Sequence, residues 1–389
     1  MLQLRVLSSN LRYVRQFSAL SEALPSLDIQ PVLSNCRTNE SNPVNHNAEH
    51  EGRFYRIAEP AKKQLFSHGG LPKSFATLCH TFNELCVMVR KPAVEVINYL
   101  EQTDLELPVC RYAIYGNIGT GKSLLLTHIL HYGHTSGQLL VHIPWAPNWF
   151  RKSKEVVPST TRPDKFDSPV ESVEWLKHFL SQNGSLLQQL NLKTTETYTW
   201  SKREVTEEGS SWNTLLDLGL TRGKYATDCV AVLLKEIKKA AINKQCRVLV
   251  VIDGFNAFFS PRTRAVREDK SVILPSDFAL TEAFLSMTTN DWNNGAVVVS
   301  LDPLAHPGEL RESHLPRYLL GKEGFEHLDP FIPVQVTNYS EKEMHSQINY
   351  YIDRRWLQQP KAHTEQGRKE LMFSSGFHPH TLMNMVAPY

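Results

Sequence analysis

Tyr112-Ala-Ile-Tyr-Gly-Asn-Ile-Gly-Thr-Gly-Lys-Ser-Leu-Leu-Leu126 runs from an apolar, β-prone tetrad through a glycine-rich turn into a leucine run. Its centre, Gly116, Asn117, Ile118, Gly119, Thr120, Gly121, Lys122 and Ser123, matches the spacing G-x-x-x-x-G-K-[ST] of a P-loop. Each position has a physical task. The glycines let the backbone curl so that its N–H groups point inward, and those amides, with the mouth of the following helix, receive phosphates. Lys122 adds a point charge near the outer phosphates, and the Ser123 hydroxyl is a ligand for Mg²⁺. A strand before the loop (Tyr112–Tyr115) and a helix after it (Lys122–Tyr132) are the context this chemistry requires.

Such a site needs an acid at the end of a second buried strand. Arg247-Val-Leu-Val-Val-Ile-Asp253 supplies it, with Asp253 on the metal side. The position after Asp253, where many ATPases carry a glutamate to activate water, is Gly254. Asn256 can orient a water but cannot take its proton, so the sequence predicts nucleotide binding with slow or no hydrolysis and no catalytic residue. Arg262 and Arg264 lie just beyond, and Ser300 stands at the tip of another strand as a candidate γ-phosphate contact. An N-K-x-D guanine-reading loop is missing: Asn243-Lys244-Gln245-Cys246 lacks the aspartate. The residues alone leave two options, ATP or a guanine read by other contacts.

Outward from the loop, short β-branched runs alternate with amphipathic stretches. Strands are expected at Tyr112–Tyr115, Leu139–Ile143, Val248–Ile252, Ala296–Leu301 and Phe331–Val336, the last at a sheet edge because it contains Pro333. This pattern predicts an α/β fold with a five-stranded parallel sheet. A helical insertion is expected over 145–245, with helices near Val170–Leu190 and Thr227–Asn243. A helical lid follows over 341–389. Upstream, Ser74–Met88 has helical spacing, and so does Pro92–Leu100. The nucleotide-binding domain is bounded at 58–340. Residues 18–57, rich in Asn, Ser and Pro around Asn35–Asn47, read as an extended arm with little core of its own.

Before Glu22 the only charges are Arg5, Arg12 and Arg15, set among serines and apolar residues. That composition is expected of a mitochondrial transit peptide, 1–17, cut after Phe17. Its removal leaves 39 Lys and Arg against 40 Asp and Glu, so no global basic field marks the chain as a nucleic-acid binder. No 18-residue apolar run predicts a membrane span. The six cysteines show no C-x-x-C pair and read as buried thiols. His128, His131 and His134 share a helical face; the reading favours surface or satisfied histidines over a metal site.

Several further motifs carry a family resemblance from about residue 50 to the end. They include His142-Ile-Pro-Trp-Ala-Pro-Asn-Trp149, Phe166-Asp-Ser-Pro169 with Trp175-Leu-Lys177, and Tyr198-Thr-Trp-Ser-Lys-Arg-Glu204. Arg267-Glu-Asp-Lys-Ser271, Asn290-Asp-Trp292, Leu320-Gly-Lys-Glu-Gly-Phe325 and Leu328-Asp-Pro-Phe-Ile-Pro333 belong to the set, as do Asn338-Tyr339, Ile348-Asn-Tyr-Tyr-Ile352 and Trp356-Leu357. On these the chain resembles the death-associated protein 3 family of mitochondrial small-subunit ribosomal proteins. The resemblance implies an AAA-related P-loop NTPase core. It also implies GTP or GDP with Mg²⁺, in preference to ATP, on Gly116–Ser123 and Asp253, with Ser123 and Asp253 toward the metal. It further implies a structural place in the matrix ribosome, among small-subunit proteins and rRNA with a large-subunit contact as a further option, support of mitochondrial translation and a link to apoptosis. The competing expectation is a matrix ATPase or GTPase with steady turnover.

Overall fold

The computed structural model describes residues 36–261, 263–267 and 269–387. The expected transit segment and residues 18–35 of the expected arm lie outside the described residues. Five parallel strands form the centre: β1 (Cys110–Tyr115), β2 (Leu139–Ile143), β3 (Val248–Ile252), β4 (Gly295–Ser300) and β5 (Ile332–Gln335). Their spatial order is β5-β1-β4-β3-β2. The expected strands are all present. β5 does lie at an edge, where Pro333 sits beside Ala113 without a central ladder bond to lose.

Period-two alternation divides the core between the two sheet faces. Val248, Val250 and Ile252 face one cluster, with Leu139, Val141, Ile143, Val297 and Val299; helices Pro169–Leu190, Trp212–Thr221, Ala226–Ile242 and Ala279–Met287 cover it. Leu249 and Val251 face the other, under helices Lys91–Gln102 and Lys122–Thr135. All five residues of β3 are wholly buried, which is why its sequence reads as an unbroken apolar run.

The N-terminal region departs from expectation. The helix expected over Ser74–Met88 stops at Phe82, because Asn83 takes a left-handed conformation with φ 52° and caps it. Leu85–Met88 then forms a strand antiparallel to Phe54–Ile57. That pairing also corrects the described part of the extended arm. Cys36, His46, Phe54, Tyr55 and Ile57 are buried, and Arg37 bridges Glu84 at 2.8 Å and Asp353 at 2.9 Å. Its polar composition caps turns, as at Asn42 and Asn47, while a few apolar residues anchor the segment.

The C-terminal helices Glu341–Asp353, Glu365–Ser375 and Pro379–Met385 follow β5. No helix among the described residues is long and apolar enough to cross a membrane. Five of the six cysteines are buried thiols, with Cys110 half-exposed.

Candidate functional site

Strand β1 ends at Tyr115 and the chain turns over Gly116–Gly121 into helix Lys122–Thr135. Two glycines are needed for space. A Cβ on Gly116 would lie 2.3 Å from the Val336 carbonyl oxygen, where the segment after β5 closes on the loop. Gly119 has φ +82°, and a Cβ there would lie 2.8 Å from both His378 Cε1 and His380 Cβ. The C-terminal segment thus touches the loop tip. His378 Nε2 donates to the Ile118 carbonyl at 2.8 Å; its Nδ1 accepts from Thr381 N at 3.2 Å, which assigns the tautomer.

Lys122 is 3% exposed. Its ammonium donates to the carbonyls of Gly116 at 2.9 Å and Asn117 at 2.7 Å, and pairs with Asp302 Oδ2 at 3.1 Å. Thr120 Oγ1 closes the turn on Asn117 O at 3.0 Å.

Opposite the loop, Asp253 directly follows β3. It is buried, and its carboxylate accepts from the hydroxyls of Ser300 and Ser123. Burial pushes its carboxyl up to about 6, the two serine hydroxyls pull it down, and Asp302 adds a further upward push. Ser300 also accepts from the Gly254 amide at 2.9 Å. Expected as a γ-phosphate contact, it is a fully buried strut that fixes Asp253.

Asn256 is fully buried and its carboxamide is bonded to the backbone of Asp302. Its Nδ2 donates to Asp302 O at 3.1 Å, and its Oδ1 accepts from Asp302 N at 3.0 Å. Arg264 is exposed and does not line the cavity; Arg262 lies outside the described residues. The Asn243–Cys246 string precedes β3 and so sits at the opposite end of the sheet from the loop.

A cavity of about 690 Å³ opens over the loop. Its walls combine polar groups, Gly119–Ser123, Asp253 and Asp302, with apolar and aromatic side chains that include Phe75, Phe82, Tyr350 and Met383. The donor set of a serine hydroxyl and one carboxylate suits Mg²⁺, which keeps water and phosphate oxygens in its shell. No cluster of three or more His, Cys, Asp or Glu fit for a metal occurs among the described residues. His128 and His131, expected at the surface or satisfied, are buried; His46 Nδ1 lies 2.8 Å from His128 Nε2. Burial drives His128 far below the ordinary histidine range and His131 down to about 4.

Arg90 was not singled out by sequence reasoning, yet it joins the site together. Its guanidinium, 7% exposed, donates to Glu343 Oε1 at 2.9 Å, Thr120 O at 2.7 Å and Thr337 O at 3.1 Å, and lies over the Tyr339 ring. Glu343 in turn completes the capping box of helix Glu341–Asp353 with Ser340. One buried cation therefore binds the loop, the strand end and the C-terminal helices. Asp302 was also missed, although Asp-Pro at a strand end is a capping signal: Oδ1 accepts from Leu304 N at 2.8 Å.

Comparison with known proteins adds to this geometry. Residues 87–385 match the family model described as mitochondrial ribosomal death-associated protein 3. The small ribosomal subunit protein mS29 of Bos taurus is 43% identical over 351 residues, 90% of this chain and 87% of the bovine protein. That of Mus musculus is 42% identical over 351 residues, 90% of this chain and 89% of the mouse protein. A solved E. coli MS115-1 HORMA:CdnC:Trip13 complex aligns over 83% of this chain and 80% of that chain at 11% identity, with a TM-score of 0.30 too low to bear on the fold.

Proposed function

Because this chain belongs to the mitochondrial ribosomal death-associated protein 3 family, we propose that it is a structural constituent of the small subunit of the mitochondrial ribosome, resident in the matrix, with a guanine nucleotide held in Gly116–Ser123. Its core is then a P-loop NTPase fold of the AAA-related kind, with residues 341–389 as the lid. One observation carries the nucleotide reading: Lys122, Ser123 and Asp253, from two strand ends, line one cavity, with Ser123 bonded to Asp253. Ligands of parallel sheets sit at such carboxyl ends. The base and ribose belong against the apolar and aromatic walls of the same cavity; GTP or GDP rather than ATP follows from the family.

Ser123 and Asp253 are the residues that would hold Mg²⁺, which would supply positive charge against the phosphates. Gly254 stands where a general base is usual, and Asn256 is committed to Asp302, so hydrolysis is slow and the nucleotide serves as a structural ligand. Support of mitochondrial translation follows from the ribosomal place. The partners are neighbouring small-subunit proteins and rRNA, reached through local patches because the chain has little net charge. The apoptotic link enters from the family alone, and comparing wild type with Lys122→Ala in a cell-death assay tests its dependence on nucleotide.

Two measurements test the proposal. Sedimentation of mitochondrial lysate should place the chain with the small subunit; a free monomer peak alone rejects the ribosomal reading. Calorimetry with GTP, GDP and ATP should show guanine-selective binding lost in Lys122→Ala. Steady multiple turnover abolished by that change would favour an enzyme instead.

A further inference from the structure

Lys122 has three ammonium protons and three partners. Two partners, the Gly116 and Asn117 carbonyls, belong to the loop itself; the third is Asp302 Oδ2 at 3.1 Å. The lysine and aspartate side chains are only 2% and 10% exposed. Asp302 is also held in place from three directions: Asn256 grips its backbone N–H and carbonyl, and Leu304 N donates to Oδ1. A carboxylate oxygen is thus built into the position from which it uses the one lysine proton not committed to the loop.

We propose that Asp302 is an internal stand-in for phosphate, a competing anion that an incoming nucleotide must displace from Lys122. The inference rests on the phosphate-binding reading above. A phosphate oxygen and Asp302 Oδ2 are both anionic acceptors, and Lys122 has a single donor to offer them. When phosphate takes it, Asp302 becomes a buried carboxylate without its cation, close to Asp253 and to the new negative charge, which is costly. The apparent affinity for a nucleotide is lowered by the fraction of molecules in which the lysine is already occupied. Divalent cation relieves this charge excess. Asp302 therefore makes the site select metal-complexed nucleotide over free nucleotide, and keeps Lys122 neutralised between ligands.

The test uses the full chain as wild type, Asp302→Asn, Asp302→Ser and Lys122→Ala. Asn and Ser both keep an acceptor for Leu304 N, so the second guards against a folding failure of the first. GDP is titrated calorimetrically in EDTA and again in Mg²⁺. Either Asp302 variant should bind GDP in EDTA about tenfold more tightly than wild type, and the ratio of Mg²⁺ to EDTA affinity should shrink. Unchanged or weaker binding by a folded Asp302 variant overturns the inference while leaving the phosphate site standing, provided Lys122→Ala has lost binding. If wild type takes up no GDP in either buffer, or Lys122→Ala binds as wild type does, the phosphate reading itself fails and this inference falls with it.

Discussion

Replacing Asp253 with Asn should stabilise the nucleotide-free protein at neutral pH. The wild-type carboxyl ionises at about 6 in the folded chain against an ordinary 3.8, chiefly because it is buried. The folded state binds more protons than the unfolded state between those two values, so stability falls as pH rises from about 4 to about 6 and stays low above. At pH 7.5 the penalty is on the order of 3 kcal/mol. Asn keeps the shape and an acceptor for Ser300, but a second amide proton left without a partner takes back about 1–2 kcal/mol. The net gain expected is about 1–2 kcal/mol at pH 7.5, vanishing at about pH 5 and turning into a net loss of about 1 kcal/mol by pH 4. Urea unfolding of both proteins at pH 4, 5, 6 and 7.5, without nucleotide, measures it. An Asn variant less stable than wild type at pH 7.5, or a gap that ignores pH, would refute the reasoning. The same variant should lose any extra stability that Mg²⁺ and GDP confer, the expected exchange between function and stability.

Glu343→Ala should cost about 3–5 kcal/mol in urea unfolding, because it leaves the Arg90 guanidinium buried without its carboxylate. Limited proteolysis should then cut the C-terminal helices sooner. Gly119→Ala should lose about 1–3 kcal/mol, since φ +82° is strained for alanine and His378 and His380 stand in the way; fluorescence titration with labelled GDP should show weaker binding as well. Burial holds His178 down at about 3 and His131 at about 4, so both stay neutral when folded. The unfolded chain takes up protons first, hence stability is full above pH 6.5 and falls as pH drops from there toward 3. His178→Gln should flatten that fall in acid unfolding curves, and an unchanged slope would clear His178 of it.

The sheet and the loop were legible because their signals are local. Val248–Ile252 is apolar on both faces for the reason that both are covered, and the Gly116–Ser123 spacing encodes its own turn. What joins the loop to its surroundings was not legible. Arg90 and Glu343 lie 253 residues apart, and nothing adjacent to either marks the other. Asp302 faces Lys122 only because β4 lies beside β1. Leu85–Met88 was misread as helix because its apolar spacing suits both structures; the left-handed Asn83 and the partner Phe54–Ile57 decide it. Residues 36–57 read as an arm since polar and charged residues dominate their composition, while a handful of anchors such as Tyr55 do the packing.

The loop's walls come from the far end of the chain. β5 closes beside β1, Val336 crowds Gly116, and His378 reaches Ile118 across 260 residues. A ribosome making this protein releases the glycine turn long before those pieces exist. The half-made chain therefore has the motif without the pocket, which is complete only after the helix Pro379–Met385 has been made. Loss of Pro379–Met385 would leave every motif residue in place and still uncover Gly119, so a truncation there is an intervention at the glycine loop.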